Sequence, residues 1–140
     1  MEERHGVSTI VYDDKGKLFF LLLKRSTNWL GYEFPKAKIR QGEDVKSSLQ
    51  RALKEKAGLT QYELERPLEF KREFVHGDIK YIFDIYLARS NMNLPVNHSK
   101  KKHNSYIWTD KSGVYERLHW DNEKDIFLKA VQEIQMAKRR

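Results

Sequence analysis

The residues best suited to chemistry lie within residues 33–59, where a basic loop leads into a short helical pattern. The pattern begins after Asp44, whose carboxylate can accept a hydrogen bond from a free backbone N–H of the first helical turn. It ends at Gly58, since glycine readily adopts the left-handed conformation that closes a helix. The side chains that could act on a ligand are Lys36, Glu43, Arg51, Glu55 and Lys56.

This stretch resembles the Nudix box, whose pattern is G, five residues, E, seven residues and R-E-U-x-E-E-x-G-U, with U a bulky aliphatic residue. Three positions depart from the pattern. Ala37 replaces the first glycine, Ala52 replaces the glutamate after the arginine, and Lys56 replaces the second glutamate of the E-E pair. The matching positions are Glu43, Arg51, Leu53, Glu55, Gly58 and Leu59.

The resemblance implies a metal-dependent site in which box carboxylates hold Mg²⁺ or Mn²⁺ against a pyrophosphate. Hard divalent ions need several oxygen ligands for this task. Residues four positions apart are neighbours on a helix. The face that carries two glutamates in the family pattern therefore carries Ala52 and Lys56 here. A lysine side chain has no atom that could bind a metal ion as a ligand. Glu55 can pair with Arg51 instead. We therefore expect no cofactor, or Mg²⁺ at Glu55 only if some hydrolase activity remains.

Two later segments are similar to the diadenosine-tetraphosphate hydrolase branch of the family. They are FKREF (70–74) and HNSYIW (103–108), the second comparable to S-x-E-H-x-x-Y-x-W in that branch. This alignment places Lys102 where the branch has another functional glutamate. With Ala52 and Lys56, three family acids are absent and two of them are replaced by cations.

These replacements indicate a nucleotide-binding pocket that is lined by positively charged side chains. A lysine ammonium can bind a phosphate oxygen and supply the charge that a metal would bring, while an aromatic ring can stack on a base. The resemblance thus implies a catalytically degenerate Nudix protein that binds an adenine nucleotide, a dinucleoside polyphosphate or an RNA terminus. The predicted ligand-binding residues are Lys36, Lys56, Lys80, Lys102, Tyr106 and Trp29.

Two other functions stay open on the sequence alone. An active dinucleoside-polyphosphate hydrolase would use Glu43 and Glu55 with fewer metal ions and would need Glu33, Asp44 or a later acid to complete its site. A divalent ion bound at Glu55 would favour it. A basic scaffold would dock on RNA, a ribonucleoprotein or a protein through Lys100–Lys102 or the C-terminal helix. Binding that depends on that loop and not on the pocket lysines would favour the scaffold.

Composition limits the number of domains, the kind of partner and the cellular location. A chain of 140 residues with 39% hydrophobic residues suits one Nudix-like domain over residues 1–140. The formal net charge of +7 is compatible with an anionic partner, although surface lysines also confer solubility. Because the chain has no cysteine and no apolar run of the ~20 residues that span a membrane, we expect a cytoplasmic protein without membrane association.

The remaining pattern predicts an α/β fold with a mixed β-sheet. Residues 18–24 are apolar on both faces, which indicates a strand buried between two layers. The predicted order β-β-box helix-β-β-β-helix is that of the Nudix α/β/α sandwich. The predicted strands are residues 6–13, 18–24, 68–75, 80–88 and 105–110, and the final helix is residues 121–138.

Overall fold

The chain forms one mixed β-sheet with a helix packed on each face, in a computed structural model that describes residues 1–26, 30–97 and 103–138. This confirms the predicted α/β/α fold. The strands in these ranges are β1 Glu2–Asp14, β2 Leu18–Arg25, β3 Gly31–Glu33, β4 Lys36–Lys38, β5 Glu63–Pro67, β6 Arg72–His76, β7 Ile79–Arg89 and β8 His103–Thr109. The helices are α1 Val45–Ala57, α2 Lys111–Arg117 and α3 Asp121–Lys138.

The sheet is built around the parallel pair of β1 and β7. The first half of β1 pairs with β4, as at Gly6 and Lys38, and its second half pairs with β2, as at Tyr12 and Phe20. Strand β7 is likewise flanked by β6 at its beginning and by β5 at its end. Strands β3 and β8 lie on either side of β2. The central strands therefore hold together two smaller groups of edge strands.

The apolar run of β2 is buried on both sides, as predicted. Successive side chains of a strand point to opposite faces, and each face has its own core. We call the face covered by α1 the α1 face and the opposite one the α3 face. The α3-face core includes Ile10, Phe20, Leu22, Ile85, Leu87, Phe127 and Val131, and the α1-face core includes Val7, Val11, Leu21, Leu23, Leu49, Leu53 and Ala57.

Helix α1 has the ends that its sequence predicts. The carboxylate of Asp44 accepts a hydrogen bond from the Ser47 amide at 2.7 Å. Gly58 has φ 65°, and its amide donates to the Lys54 carbonyl at 3.0 Å. A Cβ on Gly58 would lie 2.8 Å from Cβ of Asn97, so both the backbone conformation and the available space require glycine. These local contacts fix where the basic loop joins the helix.

The strand predicted at residues 68–75 is confirmed only from residue 72 onward, and residues 68–71 lie outside any strand. Strand β5 ends at Pro67 and β6 begins at Arg72. Leu68 between them is buried in the α3-face core, while its amide donates to the Ile85 carbonyl at 2.7 Å. The apolar residues that suggested a strand therefore serve to bury an irregular connection.

Four short elements, β3, β4, β5 and α2, were not predicted. Strands β3 and β4 have three residues each, too few to show a periodic pattern. Helix α2 has Gly113 in its interior, which lowers helix propensity. That glycine is required because a Cβ would lie 1.8 Å from Oγ1 of Thr109. Within the described ranges, no helix is both long and apolar enough to span a membrane.

Candidate functional site

Arg51 holds the basic loop against α1. Its Nε lies 2.9 Å from Oε2 of Glu43, and its Nη2 lies 3.0 Å from Oε1 of the same carboxylate and 2.8 Å from the Lys38 carbonyl. Glu43 Oε1 also accepts hydrogen bonds from the Arg40 amide at 2.9 Å and from Ser48 Oγ at 3.0 Å. The Glu43 carboxylate therefore stabilises the loop by accepting hydrogen bonds from Arg40, Ser48 and Arg51.

The second box carboxylate is also paired with Arg51. Glu55 Oε2 lies 3.6 Å from Arg51 Nη1, at the i, i+4 spacing anticipated from the sequence. Ala52 is buried in the helix interface, and Lys56 is half-buried one turn later. Among the described residues, no three His, Cys, Asp or Glu side chains converge as a metal site would require. This donor set does not fit the divalent ion that the Nudix resemblance implies.

The Arg51–Glu43 contact predicts a specific acid dependence of stability. The Arg51 hydrogen bonds, followed by those of Arg40 and Ser48, lower the pKa of Glu43 from 4.5 to about 2. A carboxyl whose pKa is lower in the folded state stabilises the fold above pH ~4.5 and loses that contribution as the pH falls toward ~2. We expect Glu43→Gln to destabilise the protein at neutral pH and to approach the wild type in strong acid.

Urea denaturation of both proteins across this pH range measures the effect. Glu116→Gln, which changes an exposed acid of α2, is the matched control and should track the wild type throughout. A stability difference between Glu43→Gln and the wild type that stays constant down to pH ~2 would contradict the assignment.

A buried carboxylate, Glu33, is contacted by Arg25, Lys36 and His103 beside the loop. Its two oxygens lie 3.1 and 3.2 Å from Nη1 of Arg25. Nε2 of His103 lies 3.5 Å away and Nζ of Lys36 lies 4.0 Å away. Burial would raise the pKa of Glu33, but His103, Lys36 and Arg25 together lower it, so the carboxylate is ionised.

A second buried ion pair, Arg72–Glu123, influences the charge of Lys36. Nη1 of Arg72 is 3.4 Å from Oε2 of Glu123, and both side chains are more than nine-tenths buried. Burial raises the pKa of Glu123, while Arg72 and Lys36 oppose that shift. Burial lowers the pKa of Lys36, and Glu33 opposes it. Lys36 lies within 4.0 Å of Glu33, and the charges of Arg72 and Glu123 also act on its pKa.

Four of the six predicted ligand-binding residues belong to the part of the chain that the structure describes. Trp29 and Lys102 lie outside the described residues, so their roles stay predictions. The described four are Lys36, Lys56, Lys80 and Tyr106.

Tyr106, Leu23 and Glu33 lie side by side on three neighbouring strands, and Lys36 contacts Glu33. Tyr106 lies opposite Leu23 in the β8–β2 pair, and Leu23 lies opposite Glu33 in the β2–β3 pair. Since Leu23 belongs to the α1-face core, this row lies on the face that α1 and its Lys56 cover. Tyr106 is 42% exposed. The row leads from an accessible ring to the carboxylate that Lys36 contacts.

Lys80 is separated from Lys36 by the sheet. The Lys36 ammonium lies 5.6 Å from the ring centroid of Phe83, which shares the α3 face with Ile85 two residues later. Lys80 precedes Phe83 by three positions in an unbroken strand, so it points to the opposite face. Its Nζ lies 3.7 Å from Oε2 of Glu73. The geometry does not bring Lys80 and the Lys36 ammonium to the same face.

Sequence reasoning missed most of the buried ionic residues. Glu33 was considered only as an additional acid for a hydrolase, and His103 only as a point of alignment. Arg25, Arg72 and Glu123 attracted no functional interpretation, because an isolated charge has no sequence signal that distinguishes a buried ion from a solvated one.

Comparison with known proteins identifies the family to which the fold belongs. The family model for the NUDIX domain matches residues 2–130. The chain belongs to the Nudix family. No curated protein sequence matches it significantly.

Solved Nudix structures share the fold at low sequence identity. A binary complex of C. elegans Ap4A (diadenosine tetraphosphate) hydrolase has 20% identity and a TM-score of 0.83, covering 94% of this chain and 98% of the other. The MutT protein of Methanosarcina mazei has 21% identity and a TM-score of 0.79, covering 94% and 95%. The NUDIX domain of Shewanella oneidensis NrtR, complexed with ADP-ribose, has 13% identity and a TM-score of 0.75, covering 96% and 90%.

Proposed function

We propose that this Nudix protein binds an adenine nucleotide or a dinucleoside polyphosphate and does not hydrolyse it efficiently. The observation that carries the proposal is the pairing of Arg51 with both remaining box acids, Glu43 and Glu55. Ala52 and Lys56 stand where the family pattern has glutamates. A helix with these side chains attracts phosphate in place of a divalent cation.

The ligand class follows from the relatives and from the charges of this chain. The C. elegans relative is an Ap4A hydrolase, and the Shewanella domain was crystallised with ADP-ribose. Both ligands join adenosine to linked phosphates. Lys56 would contact the phosphates of such a ligand and Tyr106 would stack on its base, both on the α1 face, while Lys36 would bind a further phosphate at the sheet edge beside Glu33. An RNA terminus would offer the same combination of phosphate and base.

Lys36 is suited to this role because its position is fixed before a ligand arrives. Its ammonium is partly desolvated and lies between Glu33 and the Phe83 ring. A preorganised cation loses less conformational freedom on binding than a mobile surface lysine. It would also interact more strongly with a phosphate than a fully hydrated ammonium would.

The experiment is a calorimetric titration with diadenosine tetraphosphate in EDTA, repeated with excess Mg²⁺. We expect binding in EDTA, weakened as the salt concentration rises because the contacts are ionic. Adenosine is the matched control ligand and should bind much more weakly, since it lacks phosphates. Binding that appears only when Mg²⁺ is present would contradict a metal-free site.

A further inference from the structure

A cavity of about 310 Å³ lies where the turn between β1 and β2 meets the beginning of α2 and the end of α3. We call it the turn pocket. Two of its lining residues, Leu18 and Val131, pack in the α3-face core. Its volume is at the lower end of the ~300–1,000 Å³ range of ligand pockets, which suits a small molecule. The lining residues are 16–18, 110–112, Val131, Gln135 and Lys138.

Two ion pairs join the elements around the turn pocket. Nζ of Lys17 lies 2.8 Å from Oδ2 of Asp110, and Nζ of Lys138 lies 2.8 Å from Oδ2 of Asp14. Each carboxylate also accepts a backbone amide through Oδ1, Asp110 from Gly113 at 2.9 Å and Asp14 from the β1–β2 turn at 3.0 Å. Lys138 holds the pKa of Asp14 below its usual value, and Lys17 does the same for Asp110, so both carboxyls are ionised. The backbone thus positions two carboxylates, and each carboxylate positions one lysine.

A third lysine gives the turn pocket an excess of positive charge. Lys111, the first residue of α2, is exposed and lines the cavity. The ammonium groups of Lys17, Lys111 and Lys138 carry three positive charges, and the carboxylates of Asp14 and Asp110 carry two negative ones. An occupant with one negative charge would balance this set.

We propose that the turn pocket binds a small organic monocarboxylate, whose carboxylate contacts Lys111 and the paired lysines and whose hydrocarbon body packs on Leu18 and Val131. Ammonium groups form strong, charge-assisted hydrogen bonds with carboxylates. Ligand pockets commonly combine apolar lining with a few polar groups that fix the orientation of the ligand. The Gln135 amide lines the same cavity and can donate a further hydrogen bond.

The lining favours a carboxylate joined to an apolar body over a bare inorganic anion. A bare anion would satisfy the lysines but would leave the apolar surface of Leu18 and Val131 in contact with water. A hydrocarbon body removes that surface from water, which is favourable in proportion to the area covered. A neutral apolar molecule would in turn leave the positive charge of Lys111 without a partner in the pocket.

The turn pocket is distinct from the proposed nucleotide site. Lys36 pairs with β1 at Ser8, whereas Asp14 is at the end of the same strand, six residues further along. At about 3.3 Å per residue, these two positions of β1 are about 20 Å apart. Tyr106 lies on the α1 face, whereas Leu18 packs on the α3-face core. The inference therefore goes beyond the proposed nucleotide binding and does not depend on it.

A ¹H–¹⁵N NMR titration of the full chain with phenylacetate tests the proposal. We expect the amide signals of Lys17, Lys111 and Gln135 to shift until they saturate, while those of Lys56 and Tyr106 stay in place. Acetate has the same charge without the ring, and phenethyl alcohol has the ring without the charge. We expect each of them to bind at least about 10-fold more weakly, because each lacks one half of the interaction.

A lysine variant shows whether the charge at α2 contributes. We expect Lys111→Gln to weaken phenylacetate binding by about 5- to 10-fold, because it removes one hydrogen bond between charged groups. Lys54→Gln on α1 is the matched control, since it changes the net charge equally at another exposed position, and it should bind as the wild type does. Unchanged signals outside the pocket verify that both variants are folded.

Four results would overturn the proposal. The first is the absence of saturable shifts at the pocket residues, and the second is their appearance at Lys56 and Tyr106 instead, which would place phenylacetate in the nucleotide site. The third is binding of acetate or phenethyl alcohol as tight as that of phenylacetate. The fourth is an equal loss of affinity in Lys111→Gln and Lys54→Gln, which would indicate only general attraction by the net charge.

Discussion

Replacing Glu33 by glutamine is expected to lower the free energy of unfolding by about 3–5 kcal/mol, the usual cost of removing one partner from a buried ion pair. The Glu33 side chain is 4% exposed, and Arg25 contacts both of its oxygens. Lys36 and His103 lie within 4.0 Å of the same carboxylate. A neutral amide would leave the Arg25 guanidinium and the Lys36 side chain without the buried negative charge that they contact.

Urea denaturation at pH 7 measures this loss. Glu3→Gln is the matched control, because Glu3 is exposed on β1 and its ion pair with His5 is at the 4.0 Å limit. Exposed pairs contribute little to stability, so the control should remain within about 0.5 kcal/mol of the wild type. A loss below about 1 kcal/mol for Glu33→Gln would show that water or local rearrangement compensates for the missing charge.

Reversing the charge of Lys56 is expected to weaken diadenosine-tetraphosphate binding in EDTA by about 100-fold or more. The substitution Lys56→Glu removes a cation that we place beside the phosphates and introduces an anion at the same point of α1. Like charges brought together at a binding site cost several kcal/mol, and each 1.4 kcal/mol is a factor of about ten in affinity. Lys56→Gln should give a smaller loss, because it removes attraction without adding repulsion.

Lys54→Glu is the matched control for this substitution. Lys54 is an exposed lysine two residues earlier on the same helix, so both variants change the net charge equally. Titration calorimetry of the three variants isolates the effect of position from that of total charge. Equal losses for Lys54→Glu and Lys56→Glu would contradict a phosphate contact at Lys56 and indicate only general attraction.

The elements that the sequence predicts well are those determined by neighbouring residues. Asp44, Gly58 and the apolar residues between them specify α1 and its buried face, because caps and i, i+4 contacts are local. The two-sided burial of β2 follows in the same way from a continuous apolar run. The Arg51–Glu55 pair was predictable for the same reason.

The buried ionic residues could not be predicted, because their contacts join distant parts of the chain. Arg25 and Glu33 come from β2 and β3, whereas Arg72 and Glu123 come from β6 and α3. Whether a charge is buried depends on the register of the sheet and on the helix that covers it. The same dependence separates Lys36 from Lys80, which the sequence had grouped as one field of positive charge.

The central proposal is that the protein binds diadenosine tetraphosphate and does not hydrolyse it efficiently. Chromatography of the dinucleotide after incubation with the protein tests this most directly. Samples contain either Mg²⁺ or EDTA, and binding is verified in each by calorimetry. We predict intact dinucleotide in both samples, with binding retained in EDTA. Mg²⁺-dependent appearance of mononucleotide products at an enzymatic rate would contradict this account and would require a set of metal ligands other than the box residues.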